Sequence, residues 1–216
     1  CWARRPHLGA TTLTARIVAL ASGGGRTIEN LFGLMANKEL DAQFTRVIVS
    51  QSNCGAADRC QRLGIPVSSV DRDDFSDTES RDQATLDLIL QEDPDWVLLA
   101  GWLRLLPIPQ LLEGKVLNIH PALLPGFGGK GAYGDHVHRA VVAGSRPLSG
   151  CTVHFASAEY DRGPILLQEA VLLQPNMNAD QVAKLVFLAE KRAFPTSLKA
   201  LISGQVRWEK GRVVWG

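Results

Sequence analysis

Short apolar segments alternate with segments of helical periodicity over the first 120 residues of the chain. Several apolar segments, such as 96–101 and 115–120, lack polar alternation, which is typical of strands in a sheet that is covered on both faces. The predicted strands are 16–21, 44–50, 67–70, 96–101 and 115–120. The predicted helices between them are 27–37, 54–63 and 78–91. This alternation predicts an α/β domain.

The pattern changes after residue 120. Residues 121–134 hold five glycines and two prolines, which predicts a long loop, and long loops inside compact domains are often functional. A helix is predicted near 137–143, followed by strands at 150–156 and 165–173, a long helix at 179–202, and a hairpin of 206–208 with 212–215. We therefore expect a Rossmann-like first half and a more antiparallel second half.

The composition is that of an ordinary globular domain, with 45% hydrophobic and 21% charged residues. The net charge of +1 gives no reason to expect nucleic acid or an anionic membrane as the main partner. No apolar run reaches the length that crosses a bilayer. An anion bound by this chain must therefore be met by local groups.

The four cysteines are Cys1, Cys54, Cys60 and Cys151. They form no C-x-x-C pair and no zinc-site spacing, so we expect reduced thiols, a reducing compartment and a cytoplasmic protein without a bound metal. Residues 1–15 are rich in threonine and contain arginines but no acid. We interpret 1–15 as an amino-terminal extension, with an organellar transit peptide as the alternative, and 16–216 as one domain.

A glycine turn, Ser22 to Thr27, joins the first predicted strand to the first predicted helix. Glycines let the backbone approach an anion, and the first N–H groups of a helix point towards it. The turn lacks the G-x-G-x-x-G spacing and the Gly-Lys-Ser/Thr of the common nucleotide motifs. Two interpretations stay open, a tight turn without a ligand and a phosphate site. The residues of that phosphate site are Gly23, Gly24, Gly25, Arg26 and Thr27.

Three polar residues suggest catalysis. Asn118 and His120 lie two positions apart at the carboxyl end of a predicted strand, so their side chains share a face, while Asp161 lies in a turn before a later strand. Asp161 alone could simply cap its turn. Together, an imidazole and an amide donate to an oxyanion, and a carboxylate orients the imidazole. The trio predicts attack of an amine or water on a carbonyl, without a covalent enzyme intermediate.

The remaining histidines are His7, His136, His138 and His154. We interpret them as surface or supporting residues. A metal site is the minor alternative, and its ligands are His120, Asp135, His136 and His138.

Three segments carry a family resemblance: VLNIHPALLP (116–125), CTVHF (151–155) and YDRGPILLQ (160–168). They closely resemble the 10-formyltetrahydrofolate-dependent formyltransferases and hydrolases, and the similarity runs from about Arg16 to Trp208. The resemblance implies Asn118, His120 and Asp161 as catalytic residues and 10-formyltetrahydrofolate as cosubstrate, with no metal. It also implies the formyltransferase fold, a Rossmann-like mixed, mainly parallel sheet with helices on both faces.

The resemblance extends to the acceptor. The glycine turn sits where members that act on glycinamide ribonucleotide bind the substrate phosphate, often with Gly-Asn-Gly-Ser-Asn. Here Gly24 replaces the first Asn, and Arg26 and Thr27 replace Ser-Asn. Glu190 matches an acid that is associated with the ribose, while Phe187 replaces a Gln that is common three residues earlier.

AGWLRLL (100–106) resembles the segment that holds the folate pterin. The folate-binding residues implied in this way are Trp102, Leu103, Arg104, Leu105, Leu106 and, from a weaker match, Arg81. The loop 126–138 is longer than in the shorter members of the family and lacks their Tyr-Pro-Gly turn.

The resemblance thus implies formyl transfer to glycinamide ribonucleotide, a step of de novo purine synthesis. For the oligomeric state, both a monomer and a homodimer stay open. The rivals are a 10-formyltetrahydrofolate hydrolase, for which we expect an additional amino-terminal domain, and a formyltransferase with another small amine as acceptor. A transfer RNA formyltransferase is disfavoured because it generally carries a carboxyl-terminal barrel. A nonenzymatic nucleotide-binding module that uses only the glycine turn is the distant alternative.

Overall fold

The computed structural model describes residues 14–216. Of the predicted extension 1–15, all but the last two residues lie outside the described residues. Cys1 also lies outside them. The strands are β1 (Ala15–Ala21), β2 (Ala42–Val49), β3 (Val67–Ser69), β4 (Trp96–Leu99), β5 (Val116–His120), β6 (Leu148–Phe155), β7 (Ile165–Leu172), β8 (Val206–Glu209) and β9 (Arg212–Trp215). The helices are α1 (Arg26–Ala36), α2 (Gly55–Leu63), α3 (Thr78–Gln91), α4 (Gly134–Ala143) and α5 (Ala179–Ile202).

Seven strands form one sheet in the order β3-β2-β1-β4-β5-β6-β7, and β8 pairs with β9 in a separate hairpin. The pairings from β3 through β5 are parallel, whereas β6 and β7 are antiparallel to their neighbours. The strand order reverses between β1 and β4. Because ligands of open α/β sheets bind beyond the carboxyl ends of the strands at such a reversal, the topology indicates where a site should lie.

The apolar sequence of β1 follows from burial on both faces of the sheet. Ile17 and Ala19 belong to one hydrophobic cluster, whereas Val18 and Leu20 belong to the other. Successive side chains of a strand point to opposite faces, so each face is covered by its own layer. The predicted mixed, mainly parallel sheet with helices on both faces is confirmed.

Local signals account for the helix ends. The Asp77 side chain accepts a hydrogen bond from the Ser80 backbone N–H at 2.7 Å, and α3 begins there. Asn178 and Gln181 form a reciprocal capping box at the start of α5. Gly64, with φ of 67°, ends α2. The predicted bounds of α3 and α5 are confirmed.

Some predicted bounds were wrong by two or three residues. Strand β4 ends at Leu99 rather than 101, because the chain leaves the sheet there towards Gly101, which has φ of 83°. Helix α4 begins at Gly134 rather than 137, directly after the extended Tyr133, inside a segment whose glycines predicted only loop. Among residues 14–216, no helix combines the length and the apolar character that a membrane span requires.

The described cysteines, Cys54, Cys60 and Cys151, are buried free thiols. Burial raises the pKa of Cys60 to about 11 and that of Cys151 to about 12. Both groups are therefore protonated, weakly reactive core residues.

Candidate active site

A cavity of about 680 Å³ opens beyond the carboxyl ends of β1, β4 and β5. Its walls are the glycine turn after β1, residues 99–106 after β4, the end of β5, residues 129–135 of the long loop, and one face of α5. This volume lies in the range of small-molecule sites. The cavity lies where the strand order reverses.

The glycine turn packs tightly against α2. Gly25 has φ of 71°, and a Cβ atom at this position would lie 2.8 Å from the Cα of Ala56. The Gly23 carbonyl accepts a hydrogen bond from the Ala56 N–H at 2.9 Å, and the Gly24 carbonyl accepts one from Arg59 at 2.8 Å. With its carbonyls occupied by α2, the turn presents the beginning of α1 to the cavity, where helix N–H groups lack intrahelical partners. The predicted phosphate-binding residues all line the cavity: Gly23, Gly24, Gly25, Arg26 and Thr27.

Asn118 and His120 project from β5 into the same cavity. His120 is buried, with its side chain 3% exposed, and its Nε2 lies 2.9 Å from the carbonyl oxygen of Phe127 in the long loop. Asn118 pairs with His154 on the antiparallel strand β6, and its Nδ2 lies 3.0 Å from the His154 Nε2.

Asp161 completes the cluster from the turn before β7. Its Oδ1 lies 3.4 Å from the Asn118 Nδ2, 3.5 Å from the His120 Nδ1 and 3.6 Å from the His154 Nε2. Its Oδ2 accepts a hydrogen bond from the Gly129 N–H at 2.8 Å. The structure therefore brings together the three residues that the sequence predicted to act together.

Gly163 explains why the turn follows this course. A Cβ atom on Gly163 would lie 1.8 Å from the carbonyl oxygen of Phe155, so no larger residue fits. The Phe155 N–H donates to the Pro164 carbonyl at 2.9 Å. This close contact between the turn and the end of β6 carries Asp161 to the histidines.

Burial and charge oppose each other in the cluster. Burial lowers the pKa of His120 below its usual value, and the Asp161 carboxylate only partly offsets this effect. Burial alone would raise the pKa of Asp161, but its polar contacts, among them the hydrogen bond from the Gly129 N–H, lower it below its usual value. Asp161 is therefore a carboxylate near neutral pH, and it faces a neutral imidazole that can take up a proton.

His154 is the member of the cluster that sequence reasoning missed. It is buried, and its Nδ1 lies 2.9 Å from the Phe155 carbonyl oxygen, so Nδ1 carries the proton and Nε2 accepts from the Asn118 amide. The surface role considered for this histidine was wrong, and a supporting role fits its contacts. Only the register between β5 and β6 places it opposite Asn118, and no local sequence signal reports that register.

Residues 102–106 form the edge of the cavity beyond β4. Leu103 and Leu105 are 45% and 38% exposed, which leaves an apolar surface for a ligand to cover. The Leu103 N–H donates to the Ser22 Oγ at 3.2 Å, which ties this edge to the glycine turn. Arg104 is paired with Asp82 of α3. The predicted folate-binding residues of this segment all line the cavity: Trp102, Leu103, Arg104, Leu105 and Leu106.

Arg81 does not line the cavity, although the sequence predicted that it faces the folate. The arginine is buried and donates to the carbonyl oxygens of Val70 at 2.7 Å and Ser50 at 2.6 Å. It thus joins α3 to the segments that follow β2 and β3. The start of α3 contacts the site through Asp82 instead, which pairs with the cavity-lining Arg104.

Glu190 lines the cavity from α5, one turn after Phe187. Burial raises the pKa of Glu190 to about 7, and the charge of Arg26 opposes that rise. The Arg26 Cζ lies 4.2 Å from the centre of the Phe187 ring. The predicted ribose and phosphate contacts thus lie side by side.

The alternative metal site is not formed. Residues 14–216 contain no group of three or more His, Cys, Asp or Glu side chains that could hold a metal ion. His138 is buried at the cavity, whereas His136 is exposed on α4.

A family model described as Formyl transferase matches residues 15–198, which is more than half of the chain. The chain belongs to the formyl transferase family. This formyl transferase is 32% identical over 201 residues to phosphoribosylglycinamide formyltransferase, chloroplastic, of Arabidopsis thaliana, with 92% of this chain and 69% of that protein covered.

Two solved structures resemble this formyl transferase over most of its length. One is glycinamide ribonucleotide transformylase 1 from Symbiobacterium toebii, with a TM-score of 0.85, 26% identity and 95% of each chain covered. The other is a formyltetrahydrofolate deformylase from Pseudomonas syringae pv. tomato, with a TM-score of 0.82 and 25% identity. The match covers 94% of this chain and 66% of the deformylase. The family and the fold that the sequence motifs implied are confirmed.

Proposed function

We propose that this formyl transferase moves a formyl group from 10-formyltetrahydrofolate to the amine of glycinamide ribonucleotide. One observation carries the proposal: a single cavity joins the glycine turn, the Asn118–His120–Asp161 cluster and the apolar edge 102–106. An anionic acceptor and a flat heterocyclic donor would meet at the polar cluster. The names of the Arabidopsis and Symbiobacterium relatives support the same acceptor.

The acceptor half of the cavity suits a phosphorylated sugar. The phosphate would accept hydrogen bonds from the N–H groups at the start of α1, with Arg26 supplying charge. Glu190 lies beside Arg26, where its carboxyl group can bind ribose hydroxyls. The reacting amine would then point towards His120.

The donor half suits a pterin. Residues 102–106 line the cavity and offer the exposed side chains of Leu103 and Leu105. Tyr133, which is 41% exposed, lines the cavity from the long loop. When the pterin ring is bound between these surfaces, apolar area is removed from water, which favours binding.

The polar cluster suits the chemistry of formyl transfer. The amine nitrogen attacks the formyl carbon, and the carbonyl electrons move to oxygen. Asn118 donates a hydrogen bond to this oxyanion, and its 3.4 Å bond to Asp161 is the one most easily exchanged for it. His120 donates a second hydrogen bond through its Nε2–H, which leaves the Phe127 carbonyl to do so. Asp161 keeps His120 oriented and relays the amine proton through water. The intermediate then collapses, the bond to the folate nitrogen breaks, and that nitrogen takes up a proton.

A hydrolase is the second candidate, because the same cluster can direct water at the formyl carbon and because the Pseudomonas deformylase shares the fold. The cavity-lining glycine turn with Arg26 favours the transferase, since hydrolysis of the donor needs no second anion site.

The deciding experiment measures release of the folate product from a 10-formyl folate with and without glycinamide ribonucleotide. We expect turnover only when the nucleotide is present, and none in the His120→Ala variant. Turnover without the nucleotide would establish the hydrolase instead. If no folate product is released under either condition, both candidate functions are contradicted.

The proposed partners are these two small molecules. A monomeric or homodimeric state and a cytoplasmic location stay predictions. The division into residues 1–15 and a domain of 16–216 is likewise a proposal, for which the start of β1 at Ala15 is the support.

A further inference from the structure

Arg26 stands between two cavities. It lines the main cavity, and it also lines a second cavity of about 410 Å³ between α1 and α5. Phe187 borders both cavities as well. The stacked pair of Arg26 and Phe187 therefore forms the partition, and the side of the partition on which the guanidinium lies decides what it can bind.

The ring, rather than a carboxylate, holds the guanidinium. The Arg26 Cζ lies 4.2 Å from the centre of the Phe187 ring, and among residues 14–216 no hydrogen bond or ion pair ties down the Arg26 side chain. By contrast, Arg46, Arg59 and Arg104 are each paired with a carboxylate. A guanidinium held above a ring spends no N–H donor on a carboxylate, so its donors stay available to an anion.

The ring stands on a rigid support. Phe187 is half-buried on α5, and its neighbours Val186 and Ala189 belong to the hydrophobic core, which fixes the rotation of the helix. Glu190 follows one turn later and faces the same cavity. The ring can therefore hold a flexible arginine in one place.

Without the Phe187 ring, the Arg26 side chain can turn into the second cavity. The second cavity is also lined by Glu29, whose side chain is 50% exposed and pairs with Arg59 at 3.1 Å. A carboxylate has several lone pairs and can accept from a second guanidinium. A guanidinium that turned towards this carboxylate would spend its donors there and leave the glycine turn. Backbone N–H groups alone would then meet the anion.

We propose that Phe187 is a positioning residue that holds Arg26 beside the glycine turn, so that a full positive charge and the backbone N–H groups bind the acceptor phosphate together. The inference rests on the proposed function only in requiring that the acceptor carries a phosphate. It assigns a part of the selectivity for a phosphorylated over an unphosphorylated acceptor to a side chain on α5, which acts through the position of Arg26.

The test compares Phe187→Leu with Phe187→Tyr. The Leu variant loses the ring face, so we expect KM for glycinamide ribonucleotide to rise about twofold to fivefold, the worth of an exposed cation–π contact, while kcat and KM for the folate stay within error. The Tyr variant keeps the ring and should restore the wild-type KM. Leu188→Ala, an exposed neighbour on α5, is the matched control and should change nothing.

A double-mutant cycle separates positioning from mere packing. Arg26→Gln should raise KM for the nucleotide more than Phe187→Leu does, and adding Phe187→Leu to Arg26→Gln should bring no further rise. Independent, additive losses would overturn the proposal. So would a normal KM in Phe187→Leu whose thermal unfolding midpoint matches the wild type.

Direct binding of ribose 5-phosphate tests the role of Phe187 independently of the proposed function, because the measurement requires no formyl transfer. We expect calorimetric affinity for ribose 5-phosphate to fall in Phe187→Leu and Arg26→Gln alike, and ribose itself not to discriminate among the variants. Should glycinamide ribonucleotide prove not to be the acceptor, this pattern still supports the positioning role. Equal affinity in all variants, or no binding to the wild type, overturns it.

Discussion

Asp161 is the residue on which the polar cluster converges. One of its oxygens faces atoms of Asn118, His120 and His154 within 3.6 Å, and the other accepts from the Gly129 N–H. Asp161 adopts φ of 56°, an unusual conformation for a residue other than glycine, which the turn before β7 imposes. Its position therefore depends on the surrounding backbone as much as on its own side chain.

Replacing Asp161 with Asn keeps the size of the side chain and removes the charge that orients His120. We expect folate release at saturating substrates to slow by about 100- to 1000-fold, the loss typical of one oxyanion-stabilising group. Asp58→Asn, at an exposed position on α2, is the control and should keep the wild-type rate. A near-normal rate in the Asp161 variant would refute its role.

His154→Leu tests the residue that supports Asn118. Leucine has no acceptor for the Asn118 amide, so we expect kcat to fall. The free energy of unfolding should decrease by about 1–3 kcal/mol, because a partly buried donor loses its partner. The measurements are steady-state rates and urea unfolding. His136→Leu, on the exposed side of α4, should alter neither, and an unchanged kcat in His154→Leu would argue against the supporting role.

Glu190 makes the stability depend on pH. Because burial raises its pKa from 4.5 to about 7 in the folded state, the folded chain binds more protons than the unfolded chain between these values. The stability that its protonated form contributes is complete below about pH 4.5 and is lost as the pH rises through about 7.

Glu190→Gln should therefore raise the free energy of unfolding relative to wild type more at pH 8 than at pH 5, measured by urea unfolding at both values. Glu113→Gln, at an exposed position, should show no such difference between the two pH values. An equal effect of Glu190→Gln at both would mean that the carboxyl group ionises in the fold as it does in water.

At the scale of elements, two glycines set the shape of the site. Gly25 lets α1 begin directly against α2, and Gly163 lets the turn before β7 touch the end of β6. The first contact presents helix N–H groups to the cavity, and the second carries Asp161 to β5. In both cases a missing Cβ, rather than a side chain, brings two elements together.

Gly25→Ala should destabilise the fold more than Gly64→Ala does. Both positions have positive φ, 71° and 67°, for which an L-residue costs about 1–2 kcal/mol, but only at Gly25 would the new Cβ meet backbone, 2.8 Å from Ala56. Chemical unfolding of the two variants isolates the effect of the contact. Equal losses would show that the turn moves away from α2 freely.

At the scale of the whole molecule, the site joins the two halves of the sheet. The glycine turn, residues 99–106 and the Asn118–His120 pair come from the parallel half, whereas His154 and Asp161 come from the antiparallel half. The polar cluster therefore forms only when β6 has paired with β5. Activity and global folding should be lost together in any variant that separates the halves.

The proposed division of the chain predicts that residues 1–13 are dispensable. A chain that begins at Thr14 keeps all of β1, together with the bond from the Thr14 hydroxyl to Asp41 at 2.9 Å. Its kcat and unfolding free energy should equal those of the full chain. A chain that begins at Val18 loses the first three of the seven residues of the central strand β1 and should not fold. Reduced activity in the longer of the two would refute the division.

Much of this molecule could be predicted from local sequence. The spacing of apolar residues and the caps specify α3 and α5, because helix periodicity and capping act over a few neighbouring residues. Asn118 and His120 could be paired for the same reason, since residues two apart on a strand share a face. The family motifs identified Asp161 without any geometry.

Only the tertiary structure decided which distant residues meet. The register of β6 against β5 places His154 beside Asn118, the rotation of α3 turns Arg81 away from the cavity, and the packing of α5 brings Phe187 under Arg26. Each of these depends on how elements far apart in the chain pack against each other. Local periodicity reports which face of an element is buried, and packing decides which partner that face meets.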